Sequence, residues 1–259
     1  MPEVKKYEAG TFCWADLSTN DIPAAKKFYG EIFGWKTEDM PTAMGPYAIA
    51  KVKGKDAAAI AGLDPKQKMP PHWTNYFWVE DVEASAKKAA SLGGKVVMPA
   101  MDADQAGRFA VIADPAGAMF CLWEQKKHMG AAIWGEPGAL NWAELMTRNV
   151  DACAKFYGKL FHWEPSTMDM PGGHKYTVFN DGKHQRAGMM AMPVEVPKAV
   201  PSNWVAYFTV ASCDKTTAKI EKLGGKLAMP AMDVPNVGRF AMAFDPQGAA
   251  FAVLQPASK

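Results

Sequence analysis

The chain has 259 residues, 49% of them apolar and 22% charged, enough to bury one large core or two domains of roughly 125 residues. A formal charge of +2 gives no global electrostatic case for nucleic acid or an anionic membrane. No apolar run approaches the roughly 20 residues that span a bilayer, and MPEVKKYEAG at the start lacks a signal-peptide core; a cytoplasmic protein is expected.

The first segment, TFCWADLST, alternates as a strand does, with Phe12, Trp14, Asp16 and Ser18 on one face. Asn20 or Asp21 can cap a helix, and Pro23 suits its first turn. In IPAAKKFYGEIF, the apolar residues Ile22, Ala25, Phe28, Tyr29, Ile32 and Phe33 fall at helical spacing, and Gly34 stops the helix. Short strands are expected around Trp35–Glu38, Tyr47–Val52 and Ala57–Leu63. HWTNYFWVED then reads as a strand, VEASAKKAASLGG as a helix ended by glycines, and three more strands run to Glu124. The cysteines Cys13, Cys121, Cys153 and Cys213 form no CxxC and read mostly as small core hydrophobes.

The same order then repeats. AAKKFYGEIFGW (24–35) returns as ACAKFYGKLFHW (152–163), LGGKVVMPAMD (92–102) as LGGKLAMPAMD (223–233), and GRFAVIADPAGAMFCL (107–122) as GRFAMAFDPQGAAFAV (238–253). Two tandem domains follow, 8–126 and 139–257, joined by a linker at 127–138 with Gly, Pro and little periodicity. Each half is βαβββ twice, so the chain carries four such modules, an α+β organisation.

FYGEIFGW, FYGKLFHW, the DPAG of 114–117, the DPQG of 245–248 and the LGG after the second helix of each half together resemble the vicinal oxygen chelate superfamily. That group holds glyoxalase I, bleomycin-resistance proteins and extradiol dioxygenases. The chain is similar to its two-domain glyoxalase type of mycobacteria and streptomycetes, and the resemblance covers nearly all of it. It implies tandem domains in which paired βαβββ modules form two curled eight-stranded sheets. It also implies a concave active site around a divalent metal held by His or Gln, Glu, His and Glu. Such a metal keeps open positions for two adjacent substrate oxygens.

Carried over residue by residue, those ligand positions fall on Trp14, near Ala61–Gly62, on Thr74 and on Cys121. In the second half they fall on Trp142, near Gly188–Met189, on Val205 and on Ala252. A conventional metal site cannot be built from them, so no metal and no cofactor is expected. His72, His128, His162, His174 and His184 are scattered, and surface or capping roles are expected for each.

What remains is an aromatic cleft. Asp16 and Glu144, each two residues after a Trp, are the candidate acid or base groups. The alternative is a purely structural role, for instance accepting from Arg108 or Arg239. Trp14, Thr74, Tyr76, Cys121, Trp142 and Tyr207 are the candidate ligand contacts. Trp73 and Trp204 face the other way from Tyr76 and Tyr207. Cys121 reads as an inert buried thiol unless something stabilises its thiolate. Met40, Met44, Met168 and Met170 lie in loops that suggest an apolar lid or ordinary packing. The leading expectation is a metal-free protein binding a small apolar or aromatic molecule. The alternatives are a glyoxalase-like lyase or other enzyme using Asp16 or Glu144, and an interaction protein. The expected partner is a small molecule, with neither nucleic acid nor membrane, on a monomer or weak homodimer.

Overall fold

The computed structural model describes residues 4–40, 42–64, 66, 69–170 and 173–257. The first domain runs β1 (Phe12–Thr19), α1 (Ile22–Phe33), β2 (Lys36–Asp39), β3 (Tyr47–Val52), β4 (Lys55–Gly62), β5 (His72–Trp78), α2 (Val82–Ser91), β6 (Lys95–Ala103), β7 (Gly107–Ala113) and β8 (Met119–Gln125). The second runs β9 (Leu140–Thr147), α3 (Val150–Phe161), β10 (Glu164–Asp169), β11 (Lys175–Asn180), β12 (Gln185–Ala191), β13 (Asn203–Thr209), α4 (Cys213–Lys222), β14 (Lys226–Val234), β15 (Gly238–Phe244) and β16 (Ala250–Pro256). Both sheets have eight strands, ordered β2-β3-β4-β1-β5-β8-β7-β6 and β10-β11-β12-β9-β13-β16-β15-β14. The first strands of the two modules, β1 and β5 or β9 and β13, pair antiparallel at the centre of each sheet. No helix among the described residues is long and apolar enough to cross a membrane.

Local chemistry accounts for the helix ends. The Asp21 carboxylate accepts from Ala24 N at 2.9 Å, with Pro23 in the first turn, and Gly34 ends α1 at φ 71°. Asn149 caps α3 in the same way. His162 takes the left-handed place of Gly34 at φ 58°, a conformation a non-glycine residue adopts only at some cost. Lys88 Nζ lies 3.0 Å from His162 Nε2 and donates to Leu160 O, tying this helix end to α2. Trp35 lies outside β2, in the core, where its Nε1 donates to Gly138 O at 2.7 Å.

The sheets meet through their helix-covered faces. Phe33 of α1 packs on Phe208 with ring centroids 4.9 Å apart, and Phe77 of β5 packs on Trp204 at 4.9 Å. One buried cluster therefore spans both domains. Reciprocal polar latches close the seam. Tyr29 Oη donates to Asp245 Oδ2, and Tyr157 Oη donates to Asp114 Oδ2, each at 3.0 Å. Trp73 and Trp204, on the helix side as their spacing predicts, donate to those same phenols. Asp114 and Asp245 also accept from backbone N–H groups of their own turns. The aspartate of each DPxG turn thus shapes its own loop and holds the neighbouring domain's first helix.

The segment between the domains is a docked strap rather than a loose tether. Ala131 N donates to Cys13 O and Ala132 N to Asp56 O, both at 2.8 Å, while Ala131 and Ile133 are buried. Gly130, at φ 116°, lies where a Cβ would stand 2.5 Å from Cys13 O, so the close approach requires glycine.

Candidate functional site

In the first domain the register brings the expected positions together. Trp14 pairs with Tyr76, Asp16 with Thr74 on one side and Ala59 on the other, and Tyr76 with Cys121. Cross-strand partners share a face, so these side chains converge on the face turned away from the other domain. In the second domain Trp142 pairs with Tyr207, Glu144 with Val205 and Gly188, and Tyr207 with Ala252. This register corrects one alignment: the counterpart of Gly188 on β4 is Ala59, not the Ala61–Gly62 pair.

Asp16 and Glu144 do not meet Arg108 or Arg239. Arg108 pairs with Glu83 and Asp102, and Arg239 with Asp214 and Asp233. The actual partners are aromatic. Asp16 Oδ1 accepts from Trp14 Nε1 at 2.6 Å and Tyr47 Oη at 2.8 Å, and Oδ2 accepts from Tyr76 Oη at 2.8 Å. Glu144 Oε1 accepts from Tyr207 Oη at 2.9 Å and Oε2 from Tyr176 Oη at 2.8 Å. Here the indole no longer reaches the acid, and Trp142 Nε1 donates to Tyr176 Oη at 3.0 Å. Burial pushes both carboxylates above their ordinary range, and the phenol donors oppose the shift. Burial, and then the neighbouring carboxylate, push Tyr47, Tyr76, Tyr176 and Tyr207 upward, so the phenols stay protonated.

Cys121 is buried beside Tyr76, and desolvation followed by the charge of Asp16 pushes its thiol well above the ordinary range. Its thiolate is therefore disfavoured. Thr74 is half-buried next to Asp16. Met40, Met44 and Met168 are exposed, and Met168 belongs to β10 rather than to a loop.

Three residues of these clusters escape sequence reasoning. Tyr47 and Tyr176 stand at the start of equivalent strands, in PYAIAKV and KYTVFN, and that repetition was the available signal. His128, expected at the surface or at a cap, is instead wedged into the first domain. Its ring stands edge-on to Trp14 with centroids 4.6 Å apart, and its Nε2 lies 3.6 Å from Asp56 Oδ2. Its place in the strap gives no sequence signal, because only the docking of that segment brings it to Trp14.

The metal that the resemblance implies does not fit these residues. Among the described residues no three His, Cys, Asp or Glu side chains are grouped to hold an ion. In the second domain the room is also taken. A Cβ on Gly188 would stand 1.9 Å from Tyr176 Oη and 2.7 Å from Trp142 Nε1, so no carboxylate can occupy that strand position while the aromatic pair is in place. Away from both clusters, a groove of about 220 Å³ lies on the domain seam, between Phe33, Gly138 and the first turn of α4.

Comparison with known proteins bears on the whole chain. CFP32 of Mycobacterium tuberculosis, whose name classes it provisionally as a glyoxylase, is 41% identical over 99% of both chains. The anthracycline biosynthesis protein DnrV of Streptomyces peucetius is 34% identical over 96% of this chain and 94% of its own. The 2,3-dioxygenase LapB of Pseudomonas sp. KL28 superposes with a TM-score of 0.67 at 15% identity, covering 97% of this chain and 94% of its own. The profile of the Glyoxalase/Bleomycin resistance protein/Dioxygenase superfamily matches residues 11–122 and again 139–253. With both halves matched and both sheets built on the same strand order, the chain belongs to that superfamily and carries two of its domains in tandem.

Proposed function

We propose that the protein binds a small apolar or aromatic molecule, without a metal, on the aromatic face of its curled sheets. The observation that carries the reading is that the first position where the resemblance places a metal ligand holds Trp14 or Trp142, each joined to neighbouring tyrosines and a carboxylate in a hydrogen-bonded circuit. A mostly apolar surface with a few fixed polar groups is what small-molecule sites present. Its candidate contact residues are Trp14, Thr74, Tyr76 and Cys121 on the first face and Trp142 and Tyr207 on the second. The name of DnrV, which refers to anthracycline biosynthesis, supports an aromatic ligand class. A thermal-shift screen against a panel of mono- and polycyclic aromatics tests the reading. Stabilisation by aromatic members is expected, and a panel without any shift counts against it.

One observation favours a second reading. Burial raises Asp16 and Glu144, the direction that suits a carboxylic acid acting as a proton donor. Glu144 is the better placed, since Asp16 is held under a third donor. Turnover of the adduct of methylglyoxal and a thiol, lost in Glu144→Gln, would replace binding by catalysis.

A further inference from the structure

We propose that the ligand face is that of the second domain alone, and that it takes a flat polycyclic molecule carrying a hydroxyl that donates to Glu144. This rests on the binding reading above and narrows it.

The first observation is a concentration of methionine. Met190 pairs with Met146 and Tyr176, Met168 with Tyr176, Met229 with Met242, and Met232 with Phe240. Met242 in turn pairs with Ala252, the partner of Tyr207. Six methionines, Met146, Met168, Met190, Met229, Met232 and Met242, therefore share one face with Trp142 and Glu144. Met168 and Met232 are 46% and 43% exposed, and the other four are half-buried. In the first domain Ser18, Ala61 and Val111 replace three of the six. Thioether side chains are soft and repack, and they make favourable contacts with aromatic rings. A broad face of them suits an extended flat ligand better than a compact one.

The second observation is acceptor capacity. Each oxygen of Glu144 receives one phenol, while an ionised carboxylate offers about four lone-pair positions. No Lys, Arg or His pairs with it among the described residues. Both donors it has are neutral hydroxyls, so a ligand hydroxyl matches the pattern already there. The first domain differs in both respects. Oδ1 of Asp16 already holds an indole and a phenol, and His128 stands against Trp14, which is 4% exposed.

The test is a fluorescence titration of the full chain with 1-hydroxypyrene and 1-methoxypyrene, with sedimentation and thermal melting of every variant. One site per chain is expected, with the hydroxyl compound tighter by about tenfold. Met242→Lys and Trp142→Ala should weaken binding by about tenfold or more, Glu144→Gln should erase the preference between the probes, and Met101→Lys in the first domain should change nothing. If Glu144→Gln does not fold, Met242→Lys and Trp142→Ala against Met101→Lys carry the test. Two sites per chain, equal affinities, or loss in Met101→Lys would overturn this assignment and leave the binding reading standing. A dimer that Met242→Lys dissociates would also overturn it, because the occupant would then be a second copy. If neither probe binds, this assignment falls, and the panel of mono- and polycyclic aromatics decides the broader reading separately.

Discussion

Trp14 is 4% exposed, whereas Trp142, at the same place in the second domain, is half-buried. The two strands around them read almost alike, WADLST against WAELMT. One methylene separates the acids, and it changes the circuit. Asp16 is short, and the indole donates to it directly, whereas Glu144 lies between two phenols and the indole is left to donate to one of them. The larger difference comes from outside the strands. The strap that follows β8 sets His128 against Trp14 and Trp123, and no ring is stacked on Trp142 among the described residues. Duplicated strands can thus carry one tryptophan that is covered and one that is not, decided by what packs over them.

Removing the carboxylates should expose this difference most sharply. Asp16→Ala strips the acceptor from an indole and two phenols, and Glu144→Ala strips it from two phenols. Orphaned buried donors cost about 1–3 kcal/mol, so Asp16→Ala should lower the unfolding free energy by about 3 kcal/mol and Glu144→Ala by less. Urea unfolding measures both, and a larger loss for Glu144→Ala would contradict the account.

Gly188→Ala comes next. Its Cβ collides with Tyr176 Oη, whereas Ala59 already carries a Cβ at the matching place. A cost of about 2 kcal/mol is expected, partly recovered when Tyr176→Phe removes the colliding oxygen. An unchanged midpoint in Gly188→Ala, or no recovery in the double variant, would show that the aromatic pair does not fill that space.

A smaller effect is expected for His128→Ala, about 1 kcal/mol of stability at most. It should uncover Trp14, seen as stronger acrylamide quenching of tryptophan fluorescence, and bring the first face closer to the second. Positive charge on His128 is among the influences that lower Asp16, so this variant should also leave Asp16 higher. Quenching that does not change would mean that the strap does not seal the face.

The pH dependence is the finest probe. Burial raises Asp16 and Glu144 in the folded chain, so folding tightens their hold on a proton. Their contribution to stability is complete below the ordinary carboxylate range and is lost as pH rises through their raised values. Asp16→Asn and Glu144→Gln should each flatten that fall relative to the parent, as measured by denaturant unfolding from acid to neutral pH. Variants that steepen it would reverse the assigned direction.

Much of the fold was legible in the chain. The repeats announce two tandem domains, Asp21, one of the two caps offered for the first helix, is the one used, and the alternation in β1 puts Trp14 and Asp16 on one face. The candidate site was half legible. Tyr76 and Tyr207 followed from strand alternation, but Tyr47 and Tyr176 sit on strands that reach the carboxylates only across β4 and β12. Arg108 and Arg239 looked like partners for the acids because charge suggests charge, yet they serve exposed acids on α2 and β6 or α4 and β14.

Short-range physics accounts for what the sequence by itself determined: the period of each strand and helix, the first cap and the duplication. The tertiary structure decided the rest. It set which phenols meet each carboxylate, which tyrosine each DPxG aspartate receives from the other domain, and which of the two faces the strap closes. Those outcomes depend on strand register and on packing between segments far apart in the chain, and neither is encoded in the spacing of neighbouring residues.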